Sequence, residues 1–152
     1  MINENLKLSG QLSIVLKDKA GNVKEEREVK NLVVNAGLAY IASRMTGTAK
    51  SVMSHMALGS GTTAAAASQT DLVSILGSRE ALDSTTISGT NNEKVAYVCG
   101  FEAGDATGAV TEAGIFNGAS SGDMLCRTVF SVVNKAADDT MTVTWTITLA
   151  AS

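Results

Sequence analysis

From Thr140 to Leu149 the chain alternates without a break. Met141, Val143, Trp145, Ile147 and Leu149 take the odd positions, and threonine takes each even one from Thr140 to Thr148. Successive side chains of a β-strand point to opposite faces, so this order gives one apolar and one uncharged polar face. A helix, with its period of about 3.6 residues, cannot separate them. An antiparallel strand with one face in a core accounts for the pattern. The threonine face is either packed against another subunit or left to water.

The rest of the chain supplies the sheet. Residues 123–133 place Met124, Cys126, Phe130 and Val132 on one side. The turn Asn134–Asp139 is expected to pair this strand with the last one. Segments near 79–88, 94–103 and 110–117 also read as strands between Gly, Asn and Asp turns. Nearer the start, residues 8–18 and 23–34 are β-prone runs around Lys19-Ala20-Gly21-Asn22, which predicts a hairpin. Leu12, Ile14 and Leu16 form its inward face, while the charged return strand belongs at an edge or on a partner-facing surface.

Asn35 is placed to cap a helix over 36–46, with Leu38, Ile41, Ala42 and Met45 as its apolar face and Gly47 as its stop. A strand over Val52–Leu58 and a loop, Gly59-Ser60-Gly61-Thr62-Thr63, follow. A second short helix is expected at 69–76, with Leu72, Ile75 and Leu76 on one side. About seven short strands with turn signals between them indicate a mainly β fold, an antiparallel sandwich of jelly-roll type with an N-terminal hairpin and two short helices. Glycines 59, 61, 114 and 122 are expected at turns with unusual backbone angles.

The 152 residues fit one domain, with residues 1–10 as a candidate extended arm. Apolar residues are 45% and charged residues 18%, a charge-poor balance that suits an associating protein. A net charge of −3 argues against a nucleic-acid partner, which needs an excess of Lys and Arg. The start MINENLKLSG has no basic and apolar leader, and no run is long enough for a membrane helix, so folding in a cytoplasm is expected. Cys99 and Cys126 lack metal-ligand spacing and read as small buried hydrophobes.

Groups that could carry chemistry are few. His55 is the single histidine and has no acidic neighbour in sequence. Ser60 lies in a glycine turn with neither a nucleophile elbow nor a phosphate-loop pattern. Glu102, Asp105 and Glu112 could meet around a calcium ion, but in no known calcium-loop spacing. A small hydrolase or a carbohydrate-binding module on a jelly roll is the rival from another class, and carbohydrate binding needs exposed aromatics. Trp145, Tyr40, Tyr97, Phe101, Phe116 and Phe130 nearly all fall on apolar faces instead.

Several strings carry a resemblance. Asn31-Leu32-Val33-Val34-Asn35-Ala36-Gly37 enters a helix, and Met56-Ala57-Leu58-Gly59-Ser60-Gly61-Thr62-Thr63 forms a loop. Glu112-Ala113-Gly114-Ile115-Phe116-Asn117 precedes Met124-Leu125-Cys126-Arg127-Thr128-Val129-Phe130, and Thr144-Trp145-Thr146-Ile147-Thr148 closes the chain. In this order they resemble small structural proteins of tailed bacteriophages, most closely capsid cement (decoration) proteins.

The resemblance implies a non-enzymatic virion protein without cofactor or metal. It would be assembled in the host cytoplasm and bound to the outer capsid surface, clamping major capsid protein subunits. A homo-oligomer is implied, a trimer by analogy with other cement proteins or else a dimer, with no membrane partner. The alternative role is a tail-fibre or baseplate attachment subunit. Candidate interface residues are Met1, Ile2, Asn3, Glu4 and Asn5 of the arm and Lys17, Lys19, Lys24, Glu26 and Arg27 of the hairpin.

Overall fold

The structure, a computed structural model, describes residues 5–151. Its elements in order are β1 (Leu6–Lys17), β2 (Val23–Lys30), β3 (Leu32–Val33), α1 (Asn35–Ser43), β4 (His55–Gly59), β5 (Glu80–Ala81), β6 (Ser84–Ser88), β7 (Lys94–Phe101), β8 (Gly108–Phe116), β9 (Met124–Lys135) and β10 (Thr140–Ala151). They form two five-stranded sheets, β2-β1-β10-β7-β6 and β3-β9-β8-β4-β5, in which each neighbouring pair is antiparallel.

The first sheet follows from the alternations. Leu12, Ile14 and Leu16 of β1 lie opposite Trp145, Val143 and Met141 of β10, and all six are buried. Tyr97, Cys99 and Phe101 of β7 continue the same face on the other side of β10. Met56, Leu58, Ala113, Ile115 and Val133 of the second sheet complete one cluster with them. The main core therefore lies between the sheets. The β1–β2 turn closes where expected: Gly21 has φ +86°, and the Asp18 carboxylate accepts the Ala20 and Asn22 N–H groups.

The second sheet is covered on its outer side too. Every residue of β8 from Val110 to Phe116 is buried. Helix α1 and the segment 60–79 pack over that side, where Phe116, Met124, Val34 and Ala57 form a smaller cluster with Leu72.

Five expectations are corrected. First, β9 and β10 do not pair. β9 joins β3 and β8, and the turn after Lys135 carries the chain across to the other sheet. Alternation fixes the faces of a strand but not its neighbours.

Second, residues 69–76 form no helix. The Ser74 carbonyl accepts the Ser60 N–H at 2.8 Å, and the Leu76 N–H donates to the Leu58 carbonyl at 2.9 Å, so the backbone is held against β4. Only one helix stands among the described residues.

Third, α1 is rotated from the expected face. Gly37 and Tyr40 are buried, while Leu38 is 50% and Met45 86% exposed. A side chain at Gly37 would lie 2.2 Å from the Leu125 carbonyl oxygen, so the closest approach to β9 is reserved for glycine. The residue at the cap is Val34 rather than Asn35.

Fourth, of the four glycines assigned to unusual angles only Gly122 has positive φ. Gly59, Gly61 and Gly114 are small because side chains press on them. Fifth, residues 6–10 are not an arm. They are the start of β1, registered from Leu6 opposite Ala151 onward. Met1–Glu4 lie outside the described residues.

Candidate interaction surface

The outward face of the first sheet is set by the same alternation that fills the core. With Trp145 inward, Thr142, Thr144, Thr146 and Thr148 point out. Ser13 of β1 and Val98 of β7 flank Thr144, and Gln11 and Ala96 flank Thr146. Val15 and Gly100 flank Thr142. The middle of this face is therefore short, uncharged and rich in hydroxyls.

Charge begins at its margins. Glu26 lies opposite Val15 and Glu28 opposite Ser13 on β2, and the Gln11 amide donates to Glu28 at 3.1 Å. At one end a groove of about 570 Å³ is lined by Lys7, Lys30 and Lys94 with Ser9 and Thr148.

The hairpin residues divide. Lys17, Lys19 and Glu26 are exposed, and so is Asn5. Lys24 and Arg27 are engaged within the chain. Lys24 Nζ lies 2.7 Å from Asp139 Oδ2, and this hydrogen bond, with one from the Ala136 N–H, holds the Asp139 carboxyl below its usual range. Arg27 pairs with Glu25 and donates to the Ser131 carbonyl at 2.8 Å and the Val132 carbonyl at 3.2 Å. It thus ties β2 of one sheet to β9 of the other.

A second constellation gives Glu112, a candidate calcium ligand in the sequence, a different partner. Glu112 on β8 and Arg127 on β9 form an ion pair with both side chains fully buried, at 2.8 Å. Glu112 Oε2 accepts from Arg127 Nε and Nη2 and from the Val73 N–H at 3.0 Å. Its Oε1 accepts from the Gly61 N–H at 2.9 Å and the Ser74 N–H at 2.7 Å. Arg127 Nη1 donates to the Thr63 carbonyl and to Gln69 Oε1, each at 2.9 Å. Burial alone would push the Glu112 carboxyl up, but these donors outweigh it and hold the acid below its ordinary range.

The pair pins the segment 60–76, which has little secondary structure of its own, against the sheet. A Cβ on Gly61 would lie 2.4 Å from Glu112 Oε1, and one on Gly59 2.5 Å from it, which explains the glycines of the 59–63 loop. Arg79, whose guanidinium stacks 3.6 Å from the Phe116 ring centroid, fastens the end of the same segment. The signal in the sequence was two ionisable residues inside otherwise apolar strands.

Comparison with family models, curated proteins and solved structures finds no match to this chain.

The remaining candidates separate. Glu112 is committed to Arg127, while the Glu102 N–H donates to Asp105 on another loop. Among the described residues no group of three or more His, Cys, Asp or Glu side chains is placed to hold a metal ion. His55 Nδ1 lies 2.8 Å from the Ser54 hydroxyl at the start of β4. Cys99 and Cys126 are free and buried in different sheets. Burial pushes the Cys99 thiol up to about 12, with Asp83 nearby adding to it, and raises Cys126 as well. Among the described residues no helix is long and apolar enough to cross a membrane.

Proposed function

We propose that the protein is a non-enzymatic structural component of a tailed-phage particle, a cement protein that binds the outside of the capsid and clamps neighbouring major capsid protein subunits. The observation that carries this reading is the outward face of the first sheet. It is an uncharged ladder of small hydroxyl and aliphatic side chains, bordered by the mixed-charge strand β2 and by the lysines of the groove. Such a face can lie close against a second protein surface without burying an unpaired charge. Lys17, Lys19 and Glu26 stand at its rim, where charge guides orientation more than affinity.

Support also comes from the motif strings that resemble phage structural proteins. Their glycines, Glu112 and Arg127 build one anchored layer, a use of conspicuous residues that suits a rigid clamp. The winding is read as jelly-roll-like, since β1 pairs with β10 in one sheet and β3 with β9 in the other. Binding of this kind stabilises the closed shell by mass action, and contacts repeated by symmetry add through avidity.

The test is rebinding. Shells of the encoding phage, assembled without this chain, should take up the purified protein and resist heat better for it. Thr144→Glu, which places a charge at the centre of the face without touching the core, should abolish uptake. Full uptake of that variant would remove the face from the reading.

A further inference from the structure

The two sheets have four lateral edges, and three of them are closed to further pairing. β3 and β5 span two residues each, and β2 is dense in charge. Short or charged edge strands are the ordinary means of preventing sheet extension. The fourth edge, β6, is different. Its sequence, Ser84-Thr85-Thr86-Ile87-Ser88, has no charge, no proline and no glycine, and all five residues are exposed. One side pairs with β7, and among the described residues no strand lies on the other.

The apolar residue of this strand is also misplaced for a free edge. Ile87 lies opposite Val95 and Thr85 opposite the buried Tyr97, so both point to the core side of the sheet. Yet Ile87 is 64% exposed. In the opposite sheet the edge strand β5 packs against β7, one strand short of β6. The first sheet thus extends past the second and leaves Ile87 without cover.

We infer that β6 is a docking edge for a second copy of this chain, joined antiparallel about a two-fold axis through Thr86. The argument for an identical partner is self-complementarity. With the axis at Thr86, Ser84 faces Ser88 of the other copy, Thr85 faces Ile87, and Thr86 faces itself. The β-branched pair recurs twice, no like charges oppose one another, and the side-chain faces of the two sheets match. The two Ile87 side chains become diagonal neighbours on the core side, within reach of each other. Two five-stranded sheets become one of ten strands. This contact is isologous and closed, so of the two oligomers that the resemblance allows it gives the two-fold pair and not the trimer. It does not depend on what the outward face binds.

Sedimentation velocity of the full chain over a concentration series tests this. A monomer–dimer equilibrium is expected, weakened roughly tenfold or more by Thr86→Lys, which sets two ammonium groups directly opposite. Thr85→Lys and Ile87→Glu should each weaken it, and together restore it, because the register places one against the other twice. Thr86→Cys should give a disulfide-linked dimer, since the native Cys99 and Cys126 are fully buried. Unchanged melting transitions in these variants would show that exposed positions alone were altered. A wild-type chain that is monomeric throughout, a trimer, a dimer indifferent to Thr86→Lys, or a double variant that fails to recover would each overturn the proposal.

Discussion

Glu112→Gln removes one charge and almost no volume from a fully buried side chain that accepts five hydrogen bonds. In the native chain five donors converge on the Glu112 carboxylate: three backbone N–H groups and two from Arg127. An amide offers one oxygen and turns an NH₂ toward the donors on the other side. Either orientation leaves at least two donors facing a donor, and leaves the Arg127 charge fully buried without its counter-charge. Removing one partner of a buried pair costs about 3–5 kcal/mol. That is a large part of the roughly 5–15 kcal/mol that holds a domain together. The assay is urea unfolding followed by the fluorescence of Trp145, the single tryptophan, which is fully buried. Hydrogen exchange at Gly61, Val73 and Ser74 should accelerate in the same variant, because those amides lose their acceptor. A loss below about 1 kcal/mol, with protection at the three amides unchanged, would refute the assignment of this pair as the anchor of segment 60–76.

Three further outcomes follow from the same structure. Because the folded-state pKa of Glu112 lies below its ordinary 4.5, its contribution is complete above that value and is lost as pH falls through the folded one. The gap in urea midpoint between wild type and Glu112→Gln should therefore be constant from neutral pH to about pH 5 and narrow below it; a gap that widens in acid would contradict the sign. Gly61→Ala should destabilise by about 1–3 kcal/mol by crowding Glu112 and Val73, while Gly47→Ala, with nothing within 4 Å, should be near neutral in the same thermal melt. Trp145→Ala should cost about 3–5 kcal/mol in chemical denaturation, and a loss under about 1 would mean that the faces of β10 are reversed.

How far the fold was legible depended on the range of the forces involved. The alternation of β10 declared its buried face, and Leu12, Ile14 and Leu16 declared that of β1. Both rest on local period alone. The partner of β9 is not legible in the sequence, because a turn rich in Asn and Asp serves a hairpin and a crossover equally well. The helix at 69–76 failed for a long-range reason. The apolar spacing of Leu72, Ile75 and Leu76 favours a helix, but Glu112 and β4 take the backbone groups that a helix would use.

The rotation of α1 has the same origin, since nothing near Gly37 in sequence tells of the Leu125 carbonyl it must approach. Among the interface candidates, Lys24 and Arg27 looked like free surface charge because Asp139 and the carbonyls of β9 lie far along the chain. The outward face was readable in outline from the threonine ladder. Its width was not, because that required knowing that β1 and β7 flank β10.

The most direct test of the central claim is the number of copies of this chain in purified particles, measured against the major capsid protein by quantitative mass spectrometry. Abundance near that of the capsid protein is the expected result and would agree with a clamp repeated over the shell. A handful of copies per particle would contradict it and place the chain at the tail, with the same threonine face reassigned to docking a fibre or baseplate.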